Sequence, residues 1–333
     1  MSDEERFSGA MIGQALGDAL GFVVEGEPPE VCREYIEGVL ETGSAGEYGR
    51  GPYPFGQYSD DSQLAREMLQ SYADRGRFDP RDYARRIAEI FVKERIVGGG
   101  QATGQAAWRL AAGTPWEEAG TPSPSAGNGS AMRAGPVGLL FSDDSERMVR
   151  AAHDQGRITH RDPRCSAGAV AVAGAVALVV RGEEIEAGQF LSRLAGWAAP
   201  FEEAVADDLR RLAEWLPLPP EEAATLVSGL GHNPDYPDEG RGISPFVTTS
   251  VAWSLYSFLR SPGDYRETMR TAIAVGGDVD TTAAMAGAIS GAYLGLGGIP
   301  QHLARCCLTD RGTWGFDELV DLAHLCQRLK ARG

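Results

Sequence analysis

The sequence has almost no lysine: of its 31 basic residues, only Lys93 and Lys330 are not arginines. Basic charge is also the minority sign, with 47 acidic residues against 31 basic ones and a net charge of −16. A nucleic-acid backbone is therefore not an expected partner. A polyanionic ligand would have to be held by backbone amides or bound cations. The arginine bias sits beside abundant glycine, alanine and proline, and reads as the codon usage of a GC-rich genome. Cysteine is scarce. The five residues Cys32, Cys165, Cys306, Cys307 and Cys326 form no C-x-x-C pair, which favours free thiols in a reducing compartment over a disulfide framework. The N-terminus is acidic, the reverse of a signal peptide. The most apolar runs, Ala167 to Val180 and Ala283 to Leu296, fall short of the ~20 residues of a membrane span. They read as core helices, and the expectation is a cytoplasmic protein with no membrane partner.

Several catalytic signatures are missing. No G-x-S-x-G elbow occurs, and neither lysine follows the glycines of a P-loop. The stretch Gly98-Gly99-Gly100-Gln101-Ala102-Thr103-Gly104 has Thr103 where a dinucleotide fingerprint needs its last glycine. The histidines lack zinc-type spacing.

Alternating strand patterns are hard to find, whereas helical periodicity is everywhere. A Ser2-x-x-Glu5 capping box opens a segment to about Phe22, with Gly9, Gly13, Gly17 and Gly21 on one face. Each glycine costs ~1 kcal/mol relative to alanine inside a helix, so a closely packed neighbour or a ligand should compensate. Apolar stripes Leu64, Met68, Leu69, Tyr72 and Tyr83, Ile87, Ile90, Phe91 predict two more helices. Further helices are expected at about 102–112, 143–153, 165–181, 188–198, 202–215, 248–260, 264–274, 281–296 and 316–331. Loops are expected at 42–58, 113–130, 216–221 and 230–246. The reading is all-α, with residues 1–333 forming one compact domain.

Two acidic clusters stand at expected helix starts, Tyr58-Ser59-Asp60-Asp61-Ser62 and Gly276-Gly277-Asp278-Val279-Asp280-Thr281-Thr282. Helix capping explains one side chain in each. Two adjacent carboxylates plus hydroxyls go beyond capping, and would suit hard cations such as Mg²⁺ or Mn²⁺ if the clusters met. The segment Gly127-Asn128-Gly129-Ser130-Ala131-Met132-Arg133 is either an ordinary Asn-Gly turn or a phosphate-binding helix start. His160, in Thr159-His160-Arg161-Asp162, is a pocket residue or a core-edge histidine. Glu25, followed by Gly26-Glu27-Pro28-Pro29, is expected on a mobile loop after the first helix.

Taken in order, Gly13-Gln14-Ala15-Leu16-Gly17-Asp18-Ala19-Leu20-Gly21 with Glu25, Ser59-Asp60-Asp61, Gly127 to Arg133, Thr159-His160, and Gly277-Asp278-Val279-Asp280-Thr281 resemble the ADP-ribosylglycohydrolase family across roughly residues 6 to 300. The resemblance implies an all-helical orthogonal bundle with two Mg²⁺ or Mn²⁺ ions in a cleft. It implies Ser59, Asp60, Asp61, Asp278, Asp280 and Thr281 as metal ligands. Ser59 stands where many relatives have threonine. Ser125, Gly127, Asn128, Gly129, Ser130, Met132 and His160 would hold the ADP part of the ligand, and Glu25, Asp60 and Asp61 are the candidates for the catalytic carboxylate, Glu25 preferred as gate and base.

Some arginine-specific relatives carry an aspartate near the segment that corresponds to 97–104. Here residues 96–104 contain no carboxylate and the nearest is Glu94, which leaves the acceptor open. The expected activity is hydrolysis of ADP-ribose from an ADP-ribosylated protein or a small ADP-ribose conjugate. The alternatives are another nucleotide conjugate, or a non-catalytic ADP-ribose-binding or structural role.

Overall fold

Ser2 caps the first helix as its spacing to Glu5 predicts: its hydroxyl accepts the Glu5 N–H at 3.2 Å, and the Glu5 carboxylate accepts the Ser2 N–H at 2.8 Å. The computed structural model describes residues 1–231 and 242–332. Helices α1 (Asp3–Phe22), α2 (Pro29–Thr42), α3 (Asp60–Arg75), α4 (Pro80–Val92), α5 (Gln101–Ala111) and α6 (Trp116–Ala119) come first. They are followed by α7 (Gly135–Leu140), α8 (Ser145–Arg157), α9 (Pro163–Val180), α10 (Ala187–Ala198), α11 (Glu203–Trp215) and α12 (Pro220–Ser228). The chain continues through α13 (Val247–Arg260), α14 (Tyr265–Ile273), α15 (Val279–Leu294), α16 (Gln301–Cys307) and α17 (Phe316–Lys330). Among the described residues there is no sheet, only isolated β-bridges. The all-α expectation holds.

Three helices make the centre. Every residue of α1 from Phe7 to Phe22, of α9 from Cys165 to Val180 and of α15 from Val279 to Ala292 is buried. Helix α9 begins four residues before the apolar run and, at 18 residues, is by length and composition able to cross a membrane. It lies inside the protein instead.

The glycine face of α1 runs along α15. A Cβ on Gly13 would lie 2.3 Å from the Gly287 carbonyl oxygen, and one on Gly287 would lie 2.2 Å from that of Gly13. Gly9 and Gly291 repeat the arrangement at 2.3 and 2.1 Å. Gly17 faces Ala283 O and Gly21 faces the backbone of Asp280. The two backbones therefore touch with nothing between them, and the compensation expected for the glycines is this close approach. The contact also sets Asp18, in α1, beside the start of α15.

Two expectations change. The loop that carries Glu25 spans only 23–28, and a helix absent from the sequence reading follows it at once. Pro28 is the N-cap and Pro29 the first residue of α2, because proline has no N–H to lose there and its fixed φ suits a first turn. Pro220 likewise starts α12 inside the loop expected at 216–221. Of the loop expected at 230–246, residues 232–241 lie outside the described residues.

Candidate active site

The first acidic segment is shaped by a carboxylate from elsewhere. Asp18 Oδ1 accepts the Ser59 N–H at 2.8 Å and Oδ2 accepts the Ser62 N–H at 2.9 Å, two donors that a helix N-terminus leaves free. Asp60 N–H goes to Val97 O at 2.8 Å. Gln14, also buried, donates to the carbonyls of Asp61 and Met132, each at 3.1 Å. The start of α3 is thus held by α1 and by the loop before α5. Glycine conformations shape the start of α15: Gly276 and Gly277 have φ of 76° and 89°. A Cβ on Gly277 would meet Ile243 O at 2.2 Å. Asp278 N–H bonds Ile243 O at 2.8 Å.

These starts converge. One oxygen each from Asp18, Asp61 and Asp280 lies within 4.8 Å of the others, as does one each from Glu25, Asp278 and Asp280. Asp280 belongs to both triads. Burial pushes the carboxyls of Asp60, Asp61 and Asp280 well above the usual range, and neighbouring carboxylates push further in the same direction. Burial also raises Asp278, to about 7, and Asp18, to about 6, although hydrogen bonds oppose it at both. Asp61 Oδ1 is buried without a hydrogen-bond partner. Oxygen donors only, repelling one another, with an orphaned oxygen among them: this donor set fits hard divalent cations.

The cluster opens into a cavity of about 570 Å³. Isolated β-bridges pin its loops, joining Thr121 to His160, Gly127 to Phe246 and Ile243 to Gly277. The Gly127 loop becomes a short 3₁₀ turn, Asn128–Ser130. The Asn128 N–H is bonded to Pro245 O at 3.0 Å, so this amide does not face a ligand, and the Asn128 side chain donates to Asp278. Gly129 faces the His160 ring: a Cβ there would lie 2.7 Å from His160 Cε1.

His160 is buried and neutral. Burial lowers its imidazole to about 3, and the nearby Arg133 charge helps. Thr159 Oγ1 lies 2.7 Å from Arg133 Nη2 and 2.8 Å from His160 Nδ1. A guanidinium only donates, and the hydroxyl has no other acceptor among the described residues, so the arrangement that satisfies every group gives the hydroxyl hydrogen to Nδ1 and puts the ring hydrogen on Nε2. His160 then offers the cavity an N–H donor.

Glu25, Asp60, Asp61, Asp278, Asp280 and Thr281 line the cavity, as do Ser125, Gly127, Asn128, Gly129, Met132 and His160. Ser59 and Ser130 do not. Ser59 is the N-cap of α3 and donates to Asp61 Oδ2 at 2.9 Å; Ser130 donates to Cys165 O at 2.9 Å. Glu25 has a partner that sequence reasoning missed: Arg50 bonds its Oε2 at 2.6 Å and its carbonyl at 3.0 Å. Gly26 N–H ties the same loop to Gly277 O at 2.9 Å. Asp18 was also missed as a site residue. Its only signal is a lone carboxylate, four residues after Gln14, in a helix that beyond Ser8 is otherwise apolar or glycine.

An all-helical frame that gathers buried carboxylates beneath a cavity of small-molecule size makes a cleft that could hold divalent cations beside a ligand. The chain belongs to the ADP-ribosylglycohydrolase family, which it matches over residues 1–332. It is 31% identical to ADP-ribosylhydrolase ARH3 of Gallus gallus, over 91% of this chain and 89% of that protein. It is 26% identical to ADP-ribosylarginine hydrolase Tri1 of Pseudomonas putida, over 90% and 73%. A solved structure titled ADP-ribosylglycohydrolase-related protein complex superposes with a TM-score of 0.71 at 30% identity, covering 98% of this chain and 99% of that one.

Proposed function

We propose that this protein is a metal-dependent hydrolase that releases ADP-ribose from a protein side chain or a small conjugate. The observation that carries the reading is the buried carboxylate cluster, with Asp61 Oδ1 unpartnered, in the wall of a ligand-sized cavity. Asp60, Asp61, Asp278, Asp280 and Thr281 would hold two Mg²⁺ or Mn²⁺ ions, and the two triads that share Asp280 support a pair of ions over a single one. Ser59 would contribute after releasing its hydrogen bond to Asp61. Bound cations would supply Lewis-acid charge to ribose hydroxyls and to the negative charge that develops on the departing acceptor atom.

The chain's own groups do the rest. The Gly127–Gly129 turn, Ser125, Met132 and the His160 N–H receive the ADP portion. Glu25 sits where Asp278 and Asp280 converge. Its Oε2 is paired with Arg50, which leaves Oε1 to take a proton from water as the water oxygen attacks C1 of the distal ribose. The C1–acceptor bond breaks, a C1–OH bond forms, and the proton collected by Glu25 goes to the departing acceptor atom. Loss of the leaving group gives the ribose oxocarbenium character, which flanking carboxylates stabilise.

The wall contributed by α5 is uncharged, with Gln101, Ala102, Thr103 and Gln105 on the cavity. Glu94 is exposed and off the cavity. An acceptor linked through a neutral oxygen fits that wall better than a cationic guanidinium. The test is release of free ADP-ribose from ADP-ribosyl-serine, O-acetyl-ADP-ribose and ADP-ribosyl-arginine, with Mg²⁺ or Mn²⁺ and with chelator. Turnover of at least one, abolished by chelator, is expected. Binding of ADP-ribose with no turnover of any conjugate would make this a binding protein.

A further inference from the structure

We infer that the outer face of α5 is the docking surface for the main chain of an ADP-ribosylated protein, which leaves the cavity mouth and lies along Gln101, Gln105 and Trp108. The inference rests on the hydrolase reading above and names its substrate as a macromolecule rather than a small conjugate.

Trp108 is 59% exposed. Of the six tryptophans, Trp116, Trp197, Trp215 and Trp314 each lie under an arginine and Trp253 stacks on Tyr256. The Trp108 side chain has no hydrogen-bond, ring or cation partner among the described residues. Exposed tryptophan is uncommon on a surface without a partner and enriched at binding hot spots.

Its position links it to the cavity. Residues 101, 105 and 108 follow the i, i+4, i+7 spacing of one helix face. Gln101 and Gln105 line the cavity, and all three are exposed. Helix α5 also begins at the reactive end, because Gly100, its N-cap, lines the cavity together with Asp60. From Gln101 to Trp108 the face extends ~10 Å, at 1.5 Å per residue, or roughly three residues of extended peptide at 3.3 Å each. Arg109, the basic residue of the helix, turns away to bond Ala119 O and Thr121 Oγ1. The face is therefore a neutral strip on a protein of net charge −16.

The occupant follows from covalent connectivity. A modified side chain whose ADP-ribose fills the cavity tethers its own backbone to the mouth. Two primary amides match the donors and acceptors of peptide bonds, and an indole face covers a flat or aliphatic segment. A small conjugate ends at the mouth and does not reach Trp108.

The experiment compares Trp108→Ala with the parent, both Mn²⁺-loaded, on a seven-residue ADP-ribosylated serine peptide and on O-acetyl-ADP-ribose. The variant should lose at least 10-fold in kcat/KM on the peptide, mainly through KM, and stay within two-fold on O-acetyl-ADP-ribose. Equal effects on both substrates would overturn the docking face. Peptide affinity, read by fluorescence anisotropy of a labelled peptide, separates this inference from the hydrolase reading. If the parent turns over neither substrate, yet binds the peptide more tightly than free ADP-ribose and Trp108→Ala removes that advantage, docking stands and hydrolysis does not. A parent that binds the peptide no better than ADP-ribose overturns docking.

Discussion

Gly129 lies flat against His160: a Cβ on the glycine would come within 2.7 Å of ring atom Cε1 and 3.3 Å of Nε2. The imidazole has no room to retreat, since it is buried and its Nδ1 is engaged by Thr159. Gly129→Val should therefore tilt His160 out of the cavity wall and weaken ADP-ribose binding by ~10-fold or more, in the range of losing one hydrogen bond to a charged ligand. Calorimetry on folded variant gives the answer, and an unchanged affinity would put the ADP portion on another wall.

The carboxylate cluster destabilises the metal-free protein and gains when charge is removed. Asp61→Asn or Asp280→Asn should raise the Tm of chelated protein at pH 7.5, because each removes one buried repulsion. The same variants should bind Mn²⁺ at least 10-fold more weakly. Calorimetric titration with Mn²⁺ and a melting curve in chelator test both halves, and a variant with lower metal-free Tm would show that these side chains are structural first.

The pH dependence has a defined sign. Asp278 and Asp18 titrate near 7 and 6 in the folded state, above their ordinary 3.8, so the folded protein binds more protons than the unfolded one across that window. Stability is then greatest on the acid side and declines as pH rises through the folded values. His160, lowered from 6.5 to about 3, acts oppositely and loses stability as pH falls between those values. Above pH 6.5 only the carboxylate effect remains. In chelator the Tm should fall between pH 6.5 and 8, and saturating Mn²⁺ should flatten the slope. A Tm that rises over that interval would mean that the cluster is ionised at little cost.

Glu25→Gln should slow single-turnover release of ADP-ribose by ~10²-fold or more, the range for a positioned acid–base group. ADP-ribose affinity should change far less, because the Gly127 turn and His160 remain. Rates within a few-fold of the parent would move the role to Asp60 or Asp61.

Gly13→Ala places a methyl 2.3 Å from the Gly287 carbonyl oxygen. Neither helix can yield without moving the other, so a loss of about 2 kcal/mol or more is expected, toward the upper end for overpacked cores. Urea denaturation of the metal-free protein measures it. A neutral result would mean that α1 and α15 slide freely.

Legibility followed periodicity. The repeat of glycines at four-residue spacing announced a close helix contact, and the acidic helix starts at Asp60 and Asp278 announced carboxylates that converge on one cavity. The partner of the glycine face was not readable, because α15 lies some 270 residues downstream and its own glycines look like any small-residue core helix. Asp18 escaped because a single aspartate within a helix reads as solvated, and only the fold turns it toward the Ser59 and Ser62 amides. Helix α2 hid behind Pro28 and Pro29, which read as a stop when their place is a start. Ser59 and Ser130 carry the hydroxyls a ligand would want, but local backbone geometry spends them on Asp61 and Cys165.

The glycine seam has a consequence for tolerance to change. Ordinary cores absorb substitutions because rotamers shift and neighbours refill the space. Here the facing surfaces are peptide groups, which have no rotamers, so the distance between α1 and α15 acts as a fixed gauge. Side chains elsewhere in the interior can drift without altering how far Asp18 stands from Asp280. The spacing of the carboxylates is thereby set by backbone rather than by side-chain packing, and is sensitive to any enlargement at the small positions of either helix.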